Sequence, residues 1–122
     1  MSKRILIADD EPNIVVSLEF LMKRKGHDVR VVSDGEAVLA AVAEFAPDVI
    51  LLDVMMPRLN GYEVCQRVRE NPAWGSIKII MLTAKGRDVD VTKGLALGAD
   101  AYVTKPFSTR DLVDKIEAIT GS

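Results

Sequence analysis

The chain of 122 residues is enough for one domain and leaves little for a second. Sixteen basic against 18 acidic residues give a net charge of −2, and 48% of the residues are hydrophobic, a balance that excludes a disordered tail and a basic nucleic-acid-binding surface. The single Cys65 excludes an internal disulfide and a multi-cysteine zinc site, and a chain this long buries about two-thirds of its unfolded surface without needing either.

The first strand is predicted at Ile5-Leu6-Ile7. The apolar run there is too short for a signal peptide, and no later stretch approaches the roughly 18 residues needed to span a bilayer, so a cytoplasmic location is expected. A helix over 12–25 follows, with Pro12 suited to its first turn, Ile14, Leu18 and Leu21 on one stripe, and Gly26 as the stop. His27 reads as a surface turn residue. The second strand runs from Asp28 to Val32, and Asp34 caps a second helix in which Val38, Ala41, Val42 and Phe45 form one apolar face before Pro47. The third strand is Val49-Ile50-Leu51-Leu52. The third helix starts after Asn60, with Glu63 completing a capping box, and stops near Asn71-Pro72, ahead of a loop in which Trp74 is a packed anchor. A fourth strand at Ile79-Ile80-Met81-Leu82 leads to a helix over about 87–97 closed by Gly98. The last strand is Ala101-Tyr102-Val103, and Ser108 and Asp111 cap a final helix with Leu112, Val113, Ile116 and Ile119 on its buried stripe.

Strands 1, 3 and 4 are apolar without alternation, which means burial on both faces of a parallel sheet. Five strands alternating with five helices over residues 1–122 predict a single α/β domain, a doubly wound, flavodoxin-like five-stranded parallel sheet of order 2-1-3-4-5. Ligands of such folds bind beyond the carboxyl ends of the strands. Those ends carry Asp9-Asp10, Asp53, Thr83 and Thr104-Lys105-Pro106. Asp9 or Asp10 alone could merely precede a helix, but Asp53 follows a fully apolar strand, where an uncompensated carboxylate is expensive. Three converging carboxylates call for a cation, and hard oxygen ligands with room for water favour Mg2+, with Lys105 compensating part of the remaining charge.

Four signatures in order carry a resemblance over essentially the whole chain: the Asp9-Asp10 pair, the stretch Asp53-x-x-Met56-Pro57-x-Leu59-x-Gly61, Thr83-Ala84 and Lys105-Pro106-Phe107. With these the sequence resembles a receiver domain of the bacterial two-component response regulators, similar to the chemotaxis regulators. The resemblance implies that Asp53 is the phosphoacceptor, a carboxylate nucleophile forming an aspartyl phosphate. It implies Mg2+ held by Asp10, Asp53 and the carbonyl of Met55, with Asp9 acting through water. Lys105 would pair with Asp53 at rest and with the phosphoryl group afterwards, alongside the Thr83 hydroxyl and the Ala84 amide. A cis Lys105-Pro106 bond, a switch in which Tyr102 follows Thr83, and a changed surface on helix 4, strand 5 and helix 5 belong to the same implication. Met55 and Lys85 stand where the family tunes loss of the phosphoryl group. The implied partners are a histidine kinase or phosphotransfer protein, and downstream a protein or attached effector domain. A phosphorylation-dependent homodimer is left open. No direct nucleic-acid binding, no membrane span and no enzymatic turnover of a separate substrate are expected.

Two other classes fit less well. A haloacid-dehalogenase-type phosphatase needs a second acid two residues after the first, where this chain has Met55. A flavodoxin-type electron carrier needs a phosphate cradle after strand 1, where Asp9-Asp10-Glu11 would repel the cofactor.

Overall fold

The computed structural model describes residues 2–84, 88–105 and 107–121, with only the backbone for 88–91. Five strands, β1 (Arg4–Ala8), β2 (Asp28–Val32), β3 (Val49–Asp53), β4 (Lys78–Ala84) and β5 (Ala101–Lys105), form one parallel sheet in the order β2-β1-β3-β4-β5. The helices between and after them are α1 (Pro12–Arg24), α2 (Gly35–Phe45), α3 (Gly61–Glu70), α4 (Asp88–Ala96) and α5 (Thr109–Thr120), with a short 3-10 turn at Pro72–Trp74. The sheet order and the five helices are those predicted.

Unbroken apolarity in β1, β3 and β4 does what it must: the side chains of each strand alternate into two separate cores. Leu6, Ile50, Leu52, Ile79 and Met81 pack with Val38 and Val42 of α2 and Val64 and Val68 of α3. Ile5, Ile7, Leu51, Ile80 and Leu82 pack on the opposite face with Leu18 and Met22 of α1 and Leu112 and Ile116 of α5. Cys65 is buried in the first core, and Trp74 packs against its margin.

The predicted caps are present. Asp34 accepts from the Ala37 amide, Ser108 from the Asp111 amide, and Asn60 and Glu63 form a reciprocal capping box. Several boundaries differ by a residue or more. α1 ends at Arg24, with Lys25 as its cap and Gly26 at a φ of +86° supplying the turn a side chain would resist. Its buried stripe is centred on Leu18 and Met22, so Ile14 and Leu21 only flank the core. β4 and β5 run on to Ala84 and Lys105, because polar residues at the mouth of a site can still pair with neighbouring strands. Lys85 and Arg87, at the expected start of the fourth helix, and Pro106 lie outside the described residues. His27 is half-buried, and its Nδ1 accepts the Lys3 amide at 3.2 Å.

Candidate functional site

The parallel register fixes which side chains meet. Ala8 pairs with Leu52, so the next residues, Asp9 and Asp53, emerge side by side from the two central strands. Asp53 pairs with Leu82 and Ala84 with Lys105, which brings Thr83 and Lys105 to the same edge. Asp9 and Thr83 are each 1% exposed and Asp53 is 4% exposed, whereas Asp10 is open to solvent.

The backbone around Asp53 is tightly drawn. Its Oδ1 accepts the Met55 amide at 3.2 Å, and the chain turns so that the Gly61 amide donates to the Val54 carbonyl at 2.9 Å. A Cβ on Gly61 would lie 2.5 Å from the Asp53 carbonyl oxygen and 2.8 Å from the Val54 Cα, so the close return of α3 onto β3 requires glycine there.

One ammonium serves three carboxylates. The Lys105 Nζ lies 2.8 Å from Glu11 Oε1, 2.9 Å from Asp9 Oδ2 and 3.4 Å from Asp53 Oδ1. Burial, and then the like charge of Asp9, push the Asp53 carboxyl from 3.8 up to about 6, against the pull of Lys105 and the Met55 amide. Burial alone would discharge Lys105, but its hydrogen bond to Glu11, its close ion pair with Asp9 and the field of Asp53 outweigh it and hold the ammonium above the usual lysine range. The Thr83 hydroxyl, fully enclosed at this edge, has no hydrogen-bond partner among the described residues. A buried hydroxyl in that state is a donor waiting for an acceptor.

The three aspartates each present an oxygen within 4.8 Å of the others. All are hard donors, two are fixed by burial and one faces water, a set that fits a small divalent cation keeping part of its hydration. Ala84 follows Thr83 on β4 and Met55 follows the site on a connection where its side chain is 64% exposed. Tyr102 lies on the edge strand, 38% exposed, with the Lys115 Nζ 5.4 Å from its ring centre.

The expected resting pair of Lys105 with Asp53 is therefore the longest of its three contacts. Asp9 and Glu11 take the ammonium because the β1–α1 loop brings both carboxylates to it and the Met55 amide already occupies Asp53 Oδ1. Glu11 had no assigned place in the sequence reading of this site. Its signal lay at the start of α1, where it stands as the N-cap, a position that favours Ser, Thr, Asp or Asn.

Residues 5–117 match the response regulator receiver domain. The chain is 46% identical over 119 residues to the alkaline phosphatase synthesis transcriptional regulatory protein PhoP of Bacillus subtilis (strain 168), covering 98% of this chain and 49% of that protein, and so spans about half its length. A solved structure assigned as a response regulator of Chloroflexus aurantiacus J-10-fl superposes with a TM-score of 0.95 at 33% identity, each chain covered in full. The receiver domain of the sensor histidine kinase PA1611 from Pseudomonas aeruginosa PAO1, solved with magnesium coordinated in its active-site cleft, superposes with a TM-score of 0.90 at 28% identity, again over both full chains. With this fold, these strand ends and a family match over nearly its whole length, the chain belongs to the response regulator receiver domains of bacterial two-component systems.

Proposed function

We propose that residues 1–122 act as one receiver unit in which Asp53 accepts a phosphoryl group from the phosphohistidine of a partner histidine kinase or phosphotransfer protein. One observation carries this reading. A nearly buried carboxylate shares its enclosure with a second carboxylate, a lysine ammonium and a hydroxyl that has no bond partner among the described residues. Such a group has the wrong surroundings for a structural acid and suitable ones for a nucleophile whose product is a larger, more highly charged anion.

In the step, an Asp53 oxygen forms a bond to phosphorus as the phosphorus–nitrogen bond of the donor breaks, leaving neutral or protonated histidine on the partner and an acyl phosphate here. Water later cleaves that acyl phosphate and releases inorganic phosphate. Asp9, Asp10, Asp53 and the Met55 carbonyl would hold Mg2+, which when bound neutralises charge on the transferred group. Lys105 and the Thr83 hydroxyl donate to phosphoryl oxygens, together with the Ala84 amide at the end of β4. Thr83 gains in the adduct a hydrogen bond that it does not make with any described residue at rest, and that difference biases a two-state equilibrium. Tyr102, on the neighbouring edge strand, follows Thr83 inward, and the surface of α4, β5 and α5 changes for a downstream protein or attached effector. The chain's chemistry stays on its own carboxylate, so it transduces a signal and does not turn over a separate substrate. Cytoplasmic action and output through protein contacts instead of nucleic acid belong to the same reading, which leaves homodimerisation on phosphorylation open. Among the described residues no helix is long and apolar enough to cross a membrane.

Intact mass after incubation with acetyl phosphate tests the proposal. The expected result is one phosphoryl adduct that requires Mg2+ and is abolished in Asp53→Asn. An adduct that persists in Asp53→Asn, or none in folded protein that binds Mg2+, overturns it.

A further inference from the structure

Lys105 has three anionic neighbours of unequal character. Asp9 is fixed, its side chain wholly buried, while Glu11 has 57% of its side chain in solvent and makes the shortest contact. Glu11 is also the N-cap of α1, yet it makes no side-chain capping bond. Its amide instead donates to Asp9 Oδ1 at 2.9 Å, which turns its carboxylate across the mouth of the site to a lysine 94 positions away in the chain. A capping position has been given to a residue that does not cap, and its carboxylate is engaged at the site.

From this geometry we propose that Glu11 is a positioning residue for phosphoryl capture, holding Lys105 at rest so that an incoming phosphoryl group must displace the Glu11 carboxylate before the ammonium can reach it. The inference rests on Asp53 being the acceptor. The contact is half in solvent, where ion pairs are weak, so releasing it changes an equilibrium by about three- to fivefold and no more. Asp53 is the farthest of the three carboxylates from Nζ, so at rest the ammonium is drawn toward the Glu11 side of the pocket. Loss of Glu11 leaves Asp9 to anchor Lys105 and frees the remaining donors of the ammonium for the phosphoryl oxygens.

The role of Glu11 splits into a charge effect and a contact effect, and substitutions separate them. Glu11→Gln removes both the charge and the ion pair. Glu11→Asp keeps the charge but is one methylene too short to hold the same contact. Glu19→Gln, which removes an equal charge from an exposed pair with Lys23 on α1, is the control. The first readout is the equilibrium affinity for beryllofluoride with Mg2+, a phosphoryl mimic, followed by NMR. The second is the acetyl phosphate concentration that gives half-maximal adduct formation, against the limiting rate.

Glu11→Gln and Glu11→Asp should both bind beryllofluoride about three- to fivefold more tightly than the native chain, with Glu19→Gln unchanged. The half-saturating donor concentration should fall by a similar factor while the limiting rate moves little. Tightening in Glu11→Gln alone, with Glu11→Asp like the native chain, would assign the effect to charge and overturn the positioning role. Equal affinity in all four proteins would overturn it as well, with Asp53 still the acceptor. Absence of saturable binding in every one of them would instead remove the acceptor reading, and this inference with it.

Discussion

Two clusters of charge in this molecule are built on opposite rules. At the carboxyl ends of the strands, Asp9, Glu11 and Asp53 share one ammonium, and Thr83 keeps a buried hydroxyl without a bond to any described residue. Near the amino end of β4, one arginine meets one aspartate, and charge is matched by charge. Arg69, in the last turn of α3, donates from Nε to the Gly98 carbonyl at 2.8 Å, from one terminal nitrogen to the Ile77 carbonyl at 2.7 Å, and from the other to Asp100 Oδ2 at 2.7 Å. The same Asp100 oxygen accepts the Ile79 amide at 2.8 Å. The second cluster ties α3, the α4–β5 turn and β4 together, with each guanidinium nitrogen bonded to a protein oxygen. The first has excess negative charge and an unused hydroxyl donor, the imbalance on which the proposed phosphoryl chemistry would draw.

The contrast can be broken from either side. Arg69→Ala removes three charge-assisted bonds and leaves Asp100 without its cation, so chemical denaturation should show a loss of about 3–4 kcal/mol with the phosphoryl site still assembled. The opposite cluster should respond to pH. Because the folded-state pKa of Asp53, about 6, stands above its ordinary 3.8, the protonated form is favoured by folding, and the stability it supplies is complete below pH 4 and lost as pH rises through 6. Metal-free native protein should therefore lose up to about 3 kcal/mol relative to Asp53→Asn between pH 4 and pH 7, measured as the difference of their unfolding curves. Added Mg2+ should narrow that difference at pH 7 more than at pH 5, since it binds the ionised cluster. A flat difference across that range would mean that Asp53 is not strained by its neighbours. The smallest effect belongs to Thr83→Val. The hydroxyl makes no bond among the described residues, so an isosteric apolar side chain should change stability by less than about 1 kcal/mol while weakening retention of the phosphoryl group.

The same two clusters separate what a sequence tells from what it withholds. The strand ends were legible because they combine a local signal with a topological rule. Apolar runs stop at Asp9, Asp53 and Thr83, and a doubly wound sheet brings such ends together. The helix caps at Asp34, Asn60 and Ser108 were legible because each is completed within three residues. Arg69 gave no such sign. In the sequence it is one of several charges on an amphipathic helix, and its partners at Ile77, Gly98 and Asp100 are mostly backbone carbonyls, which no side-chain pattern records. Glu11 was hidden for a related reason. Its contact spans 94 residues, and a third acid after two others reads as more of the same charge until the position of Lys105 is known. The order of preference of Lys105 among three carboxylates is a matter of tenths of an ångström, and only the assembled loops decide it.

The ion pairs from residue 105 to residues 9, 11 and 53 also set the order in which the site can come into being. The chain is made from its amino end, and Asp9, Glu11 and Asp53 all precede the lysine that offsets their charge. Until β5 has paired along β4, the acids at the sheet edge lack the Lys105 ammonium, which reaches them only across a long separation in the chain. The final strand thus completes both the sheet and its charge balance, and a chain that stops short of Lys105 has the carboxylates of the site without the cation that holds them together.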